Sequence, residues 1–179
     1  MNAGSICVRI ECAGKSILLC GDAVGRHLNS PAGTNIATEK YLCDNADELP
    51  IDSDVVVAPH HGANNGSSER FIEAVSPSCV IFSAGHDHQH PTQAAAERYT
   101  VRGVPISQIL RTDRGDDEEG GFEWKEGSVE GHSDPAGDDD VDILIRPSGE
   151  MLVEHRTVAF WTRRRKFDRG WSMAWKYRR

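Results

Sequence analysis

The chain has 179 residues, of which 38% are hydrophobic and 27% are charged, and its formal net charge is −8. This size and composition are typical of one globular domain and exclude a collagen-like or wholly disordered chain. No apolar run approaches the roughly 20 residues that cross a bilayer, and the amino terminus lacks the basic and apolar pattern of a secretion signal. We therefore expect a cytoplasmic protein without a transmembrane segment.

The predicted elements alternate between strands and helices. In chain order they are a hairpin at residues 5–20, a helix at 37–45, a strand at 54–58, a helix at 67–75, a strand at 79–83, a helix at 92–103, a strand at 106–111 and a closing hairpin at 141–155. The strand at 54–58 is a continuous apolar run, which is typical of a strand buried on both faces. The alternation predicts an α/β fold whose functional residues lie on the loops.

Charge is distributed unevenly along the chain. Residues 113–142 contain thirteen acids against two basic residues, and such a segment buries too little apolar surface to offset its ordering entropy. We therefore predict four parts: a core at 1–113, a flexible acidic insertion at 114–140, the hairpin at 141–155 and a tail at 156–179.

The tail differs from the rest of the chain in charge. Its charge is +8, whereas residues 1–155 carry −16. Arg163, Arg164, Arg165 and Lys166 lie among aromatic residues, and this composition favours phosphate contacts and base stacking in a nucleic acid. An anionic membrane surface or the acidic body of the chain itself is an alternative partner.

The five cysteines are predicted to be reduced. Their number is odd and no Cys-x-x-Cys pair occurs among Cys7, Cys12, Cys20, Cys43 and Cys79. Most of them lie in apolar segments, where a free cysteine packs as a small hydrophobic residue.

Polar side chains follow three of the predicted strands. Asp22 comes after Gly21, and His60 and His61 come after the strand at 54–58. The run His86-x-His88-x-His90 follows the next strand. Each of these alone is as well explained by a turn, a structural histidine or a surface loop. Neutral imidazole is the usual nitrogen ligand of zinc, and a carboxylate can bridge two divalent ions.

The same segments resemble a known family when they are taken in order. Gly21-Asp22-Ala23, Pro59-His60-His61-Gly62 with Ser67-Ser68, Ser83-Ala84-Gly85 with His90-Pro91, and Arg111-Thr112-Asp113 are similar to motifs of the metallo-β-lactamase-like domain of ComEC competence proteins. The resemblance covers residues 2–113. It implies the carboxyl-terminal half of an αββα sandwich and metal-dependent hydrolysis, with a nucleic-acid phosphodiester as the substrate.

The resemblance also implies roles for individual residues. Asp22 would bind or bridge the metal, and either His60 or His61 would be the histidine ligand, because the adjacent pair leaves the register open. The other histidine, Ser67 and His90 would contact substrate, with His90 orienting a phosphate or donating a proton. The implied metal is Zn²⁺, with Mn²⁺ as the alternative.

One part of the family pattern is absent from this sequence. The family carries a His-x-His-x-Asp-His motif upstream of the matched region, and no such motif precedes Asn2. The run from His86 to His90 follows the double histidine and is not expected to replace it. We therefore expect an incomplete metal site, as in a truncated enzyme, a half-domain that a second chain completes, or a non-catalytic remnant that acts as a binding module.

Overall fold

The computed structural model describes residues 4–31, 33–85, 88–114, 123–125 and 139–156, and the backbone of 171–175. In these ranges the chain has a mixed α/β fold with two sheets and three α-helices. The elements are β1 (Val8–Cys12), β2 (Lys15–Leu19), α1 (Ala37–Asp44), β3 (Val55–Val57), α2 (Glu69–Val75), β4 (Cys79–Phe82), α3 (Gln93–Val101), β5 (Ile109–Arg111), β6 (Val141–Ile145), β7 (Met151–His155) and β8 (Trp171–Trp175). The predicted α/β class is confirmed.

The larger sheet places the predicted functional loops together. Its strand order is β1-β2-β3-β4-β5, with β1 antiparallel to β2 and the next three pairs parallel. Parallel strands end at the same edge of a sheet, so the segments that follow β2, β3, β4 and β5 all begin there. We call this the carboxyl edge and the opposite one the amino edge.

The helices cover one face of this sheet because each connects two neighbouring strands. The core on this side joins Val56 and Phe82 of the sheet to Phe71 of α2 and Tyr99 of α3. As the serine and threonine before them predict, α2 and α3 begin with side-chain caps. Ser68 accepts from the Phe71 backbone N–H, and Thr92 accepts from that of Ala95.

The small sheet covers the other face. Its strand order is β7-β6-β8, and both pairs are antiparallel. Ile143 and Ile145 of β6 pack against Ile17, Val55 and Ile81 of the larger sheet. The described residues therefore form three layers, with helices, a five-stranded sheet and a three-stranded sheet. The predicted hairpin at 141–155 supplies two strands of the third layer.

The structure differs from the sequence predictions at three places. The strand predicted at 106–111 begins only at Ile109, because Ile106–Gln108 forms a 3-10 turn after Pro105. Trp171–Trp175 forms a strand inside the segment predicted to be a tail. Glu123 and Trp124 are buried although they lie within the predicted acidic insertion; the remainder of that insertion, apart from residues 114, 125, 139 and 140, lies outside the described residues.

A buried ion pair explains why residues 123–125 are held against the core. Arg111 is fully buried and donates to a Glu123 carboxylate oxygen at 2.5 Å and to the Trp124 carbonyl at 2.7 Å. The Trp124 ring packs against Phe82. Aromatic burial and a buried charge pair thus hold this short segment despite the acidic composition around it.

Two further sequence expectations concern helices and thiols. No helix in the described part of the chain has both the length and the apolar character needed to span a membrane. The five cysteines are free thiols, with Cys20 and Cys79 buried and the other three partly buried.

Candidate functional site

Asp22 and His61 meet at the carboxyl edge. Asp22 lies just beyond β2 and His61 just beyond β3, and Asp22 Oδ1 is 3.1 Å from His61 Nε2. Both side chains are about half exposed, at 49% and 41% respectively. The pair therefore lies at the surface of the edge, where solvent or a ligand can reach it.

A hydrogen bond to the backbone determines the tautomer of His61 and thus whether the nitrogen facing Asp22 is an acceptor. His61 Nδ1 lies 2.6 Å from the Ser83 carbonyl oxygen, which can only accept, so Nδ1 carries the proton. In the neutral ring Nε2 then presents its lone pair towards the Asp22 carboxylate. Two acceptors at 3.1 Å repel each other unless a proton or a cation lies between them. A bound cation between the two atoms would relieve this repulsion.

The histidines lie on a strained turn. His60, His61 and Gly62 have consecutive φ values of +49°, +57° and +80°. Left-handed non-glycine residues cost about 1–3 kcal/mol each and cluster at functional sites. A Cβ at Gly62 would lie 2.6 Å from both Phe82 and Pro91, so packing also requires glycine there. The backbone N–H of His60 donates to the Gly21 carbonyl at 2.8 Å, which joins this turn to the Asp22 turn.

His60 belongs to the same cluster but faces a different partner. Its Nδ1 lies 2.8 Å from Asn65 Oδ1. Its ring centroid is 6.3 Å from that of His61 and 6.2 Å from that of His90. The geometry thus favours His61, not His60, as the histidine beside Asp22.

His90 lies on the inner side of the histidine cluster. Burial, together with the neighbouring His60, His61 and His88 rings, lowers the pKa of His90 to about 4. His90 is therefore neutral at pH 7, a state in which one ring nitrogen accepts a proton. The ring of His88 lies 6.1 Å from that of His90.

A buried glutamate holds the loop that follows the double histidine. Glu39 of α1 accepts from the backbone N–H groups of Ser67 at 2.6 Å and Ser68 at 2.8 Å. The chain at Gly25 passes so close that a Cβ there would overlap the Glu39 carboxylate. Burial raises the pKa of Glu39, and the hydrogen bonds from Ser67 and Ser68 only partly oppose this effect.

Two arginines hold the same loop from the outside. Arg98 donates to the backbone carbonyls of Ser67 and Gly66, both at 2.8 Å. Arg26 and Arg98 both donate to the Asn64 side-chain oxygen at 2.9 Å. Burial and the adjacent Arg26 charge lower the pKa of Arg98 to about 10. These contacts fix the loop that carries Asn65, the partner of His60.

The structure gives Ser67 a structural position. Ser67 is fully buried, and its hydroxyl lies 3.0 Å from the Tyr99 hydroxyl. This placement does not favour the substrate contact expected of it. His86 and the basic cluster Arg163, Arg164, Arg165 and Lys166 lie outside the described residues.

The sequence predictions missed the residues that support the site. Glu39, Arg26, Arg98 and Asn65 contact the double-histidine loop, but each is a common surface residue type in the sequence. Within the described ranges no group of three or more His, Cys, Asp or Glu side chains is placed to hold a metal ion. Asp22 and His61 thus lie together without a third such side chain among the described residues.

Comparison with known proteins relates the chain to bacterial competence. It is 32% identical over 114 residues to "Competence protein ComA" of Neisseria gonorrhoeae, an alignment that covers 63% of this chain. The chain spans 14% of the length of that relative. No family model matches the chain, and no solved structure matches it. The chain is thus related in sequence to a competence protein over most of its own length.

Proposed function

We propose that this chain is a ComEC-related, metal-dependent phosphodiesterase half-domain of the metallo-β-lactamase superfamily, acting in DNA uptake. The observation that carries the proposal is the Asp22–His61 pair, with the lone pair of His61 Nε2 directed at a carboxylate 3.1 Å away. The sequence relation to a competence protein supports the biological context.

The layer arrangement supports the proposed fold family. Helices, a five-stranded sheet and a second sheet correspond to three layers of an αββα sandwich. The candidate residues lie at the carboxyl ends of parallel strands, where α/β proteins commonly bind ligands.

The donor atoms suit a divalent metal. Zinc binds imidazole nitrogen and carboxylate oxygen at about 2.0–2.2 Å in tetrahedral sites, which places two ligands of one ion about 3.3 Å apart. The separation between Asp22 Oδ1 and His61 Nε2 is 3.1 Å. The hydrogen bond from His61 Nδ1 to the Ser83 carbonyl is also the contact that typically orients a metal-binding histidine. Zn²⁺ is therefore our first choice, with Mn²⁺ next.

The chain's own residues would perform defined tasks in hydrolysis. A bound divalent metal supplies a nucleophile at neutral pH by acidifying water, and it withdraws charge from the phosphate. Asp22 and His61 would hold the metal, and the Glu39 and arginine contacts fix the loop that follows the histidine turn. Neutral His90 lies next to His60, from where it can accept a proton or donate its N–H to a phosphate oxygen.

Two ligand groups do not hold a catalytic ion tightly, because catalytic zinc sites use three protein ligands. The proposal therefore includes further ligands from another polypeptide segment, which is a further part of a longer protein, another copy of this chain or a different chain. The basic cluster at 163–166 is proposed to contact the nucleic acid.

A non-catalytic binding module is the second candidate. The incomplete set of ligand groups among the described residues favours it. In that case Asp22 and His61 form a surface contact without a metal, and the chain acts through its basic tail or a partner chain.

Metal content separates the two candidates. Purified chain is dialysed against Zn²⁺ or Mn²⁺, desalted and measured by plasma mass spectrometry, beside Asp22→Asn and His61→Gln. The enzyme proposal expects metal in the native chain and at least a tenfold loss in both variants, with metal-dependent cleavage of bis(p-nitrophenyl) phosphate. His27→Gln, outside the cluster, is the matched control and keeps the metal. Equal metal in all four proteins, or none in any, supports the binding module.

A further inference from the structure

The first hairpin places two cysteines opposite each other. In β1 and β2 every paired position follows one register, from Cys12 with Lys15 to Val8 with Leu19. One step further along the same register, Cys7 lies opposite Cys20. Both side chains contact the core on the helix side of the sheet.

The Cys7 sulfur contacts the backbone of Cys20. Cys7 Sγ donates to the Cys20 carbonyl oxygen at 3.5 Å, and the hydrogen bond from the Cys20 thiol lowers the pKa of Cys7. Cys7 is partly exposed, whereas Cys20 is fully buried. A solvent-borne reagent therefore reaches Cys7 first and finds Cys20 behind it.

The backbone geometry suits a cross-link. Opposed residues of an antiparallel pair have Cα atoms about 4.5–5.5 Å apart, within the range of about 4.4–6.8 Å that disulfides span. Cys12 and Cys79 pack in the other core, between the two sheets. The Cys43 sulfur instead accepts a hydrogen bond from the Asn35 side-chain amide.

We propose that Cys7 and Cys20 form a reversible thiol–disulfide site that reacts with small disulfides of the oxidised glutathione type. The Cys7 thiolate attacks one sulfur of the small disulfide, breaks its S–S bond and releases one small thiolate. The Cys20 thiol then attacks the Cys7 sulfur and releases the second small thiolate, which takes up the Cys20 proton as it leaves. Two protein thiols are oxidised to one disulfide, and the small disulfide is reduced to two thiols.

The site adjoins the Asp22 turn. The Cys20 carbonyl accepts from Cys7 Sγ, from Ser5 Oγ at 3.4 Å and from the Ala23 backbone N–H at 3.2 Å. Oxidation removes the Cys7 S–H donor from this carbonyl. The redox state of the pair is thus linked directly to the backbone that leads into Gly21-Asp22.

The sequence allows a direct test by peptide mapping. The native chain is incubated with oxidised glutathione, its remaining thiols are alkylated, and it is digested with trypsin without reduction. Cleavage after Lys and Arg places the five cysteines in five different peptides, namely residues 1–9, 10–15, 16–26, 41–70 and 71–98. The proposal expects peptide 1–9 linked to peptide 16–26, and reversal by dithiothreitol.

Variants and a denatured sample define the controls. Cys20→Ser is expected to stop at a glutathione mixed disulfide on Cys7, and Cys12→Ser, on the same strand but in the other core, leaves the link unchanged. Oxidation in denaturant is expected to give mixed pairings. The proposal is overturned if a different cysteine pair dominates the native map. It is also overturned if Cys7 and Cys20 are both alkylated and peptide 1–9 is unlinked. The native map alone decides this, whether or not the variants fold.

Discussion

The two edges of the five-stranded sheet use polar residues in opposite ways. At the amino edge Asp54 accepts from Lys15 Nζ at 2.9 Å and from the Ser16 backbone N–H at 2.9 Å, while Arg9 donates to the Asp52 carbonyl. There each charge is satisfied within the chain. At the carboxyl edge Asp22 faces the lone pair of His61 across a strained turn. On our proposal this difference separates a ligand site from a structural contact.

Residues at the carboxyl edge also have two different roles. The segments after β2 and β3 present half-exposed ligand groups, whereas β5 ends in the buried Arg111–Glu123 pair. The loop after β3 is held by Glu39 and two arginines from outside the strands. The edge thus consists of a small reactive surface and a larger rigid support.

The largest expected effect comes from breaking the buried pair at the end of β5. Arg111→Met leaves the Glu123 carboxylate buried without its main cation, so the free energy of unfolding is expected to fall by about 3–5 kcal/mol. Urea denaturation followed by circular dichroism measures this. Arg146→Met removes an exposed pair with Glu150 and is expected to cost less than about 1 kcal/mol. Similar losses in both variants would contradict the structural role assigned to Arg111.

Gly62→Ala tests the strain in the histidine turn. The new Cβ combines a left-handed backbone with overlap against Phe82 and Pro91, so we expect a loss of about 2–4 kcal/mol. Gly103→Ala is the matched control, because Gly103 also has positive φ but no atom within 4 Å of a Cβ; its loss should be about 1 kcal/mol. Thermal unfolding compares them, and equal shifts would show that the turn is not tightly packed.

A pair of isosteric changes tests the contrast between the edges. Asp54→Asn removes a charged acceptor from Lys15 and Ser16 and is expected to cost about 1–2 kcal/mol. Asp22→Asn relieves an exposed acceptor pair and is expected to change stability by less than about 0.5 kcal/mol in either direction. Denaturant midpoints measure both. A large loss at Asp22 would make that residue structural and weaken the site proposal.

Glu39→Gln is expected to change the pH dependence of stability. Burial raises the pKa of Glu39 above its ordinary 4.5, so above pH 4.5 the folded chain retains a proton that the unfolded chain releases. The contribution of Glu39 to the free energy of unfolding is therefore greatest at low pH and falls as pH rises through the folded-state pKa. The nearby Arg98 opposes this shift without reversing it.

Glu39→Gln removes this titration, so its destabilisation relative to the native chain should be larger at pH 4.5 than at pH 7.5. Urea unfolding at the two pH values measures the difference. Glu11→Gln, at an exposed position, is the control and should show no such difference. A destabilisation by Glu39→Gln that grows with pH would contradict the assigned direction.

The sequence predicted the α/β class and the shared edge because both depend on local pattern. Apolar runs such as 54–58 and 79–83 identify strands, and the polar residues after them must then share one edge. Ser68 and Thr92 identified their helices through capping. The position of β8 was missed because its alternating Trp171, Met173 and Trp175 lie within a segment dominated by basic residues.

The sequence could not predict whether His60 or His61 lies beside Asp22. His60 and His61 are adjacent and chemically identical, and the left-handed turn and the Ser83 carbonyl determine which of them faces Asp22. Glu39 and Arg98 were missed because their hydrogen bonds reach residues about 30 positions away along the chain. Trp124 was missed because acidic neighbours in sequence concealed a packed aromatic residue.

The central claim is that the carboxyl edge binds a divalent metal through Asp22 and His61. Titration with Mn²⁺, followed by histidine ring proton signals in NMR spectra, tests it most directly, because the ion broadens signals of nearby rings. The account predicts that the His61 signal broadens at the lowest Mn²⁺ concentration, ahead of those of the other histidines, and that Asp22→Asn abolishes the selectivity. Uniform broadening of all histidines, or unchanged selectivity in Asp22→Asn, would contradict it.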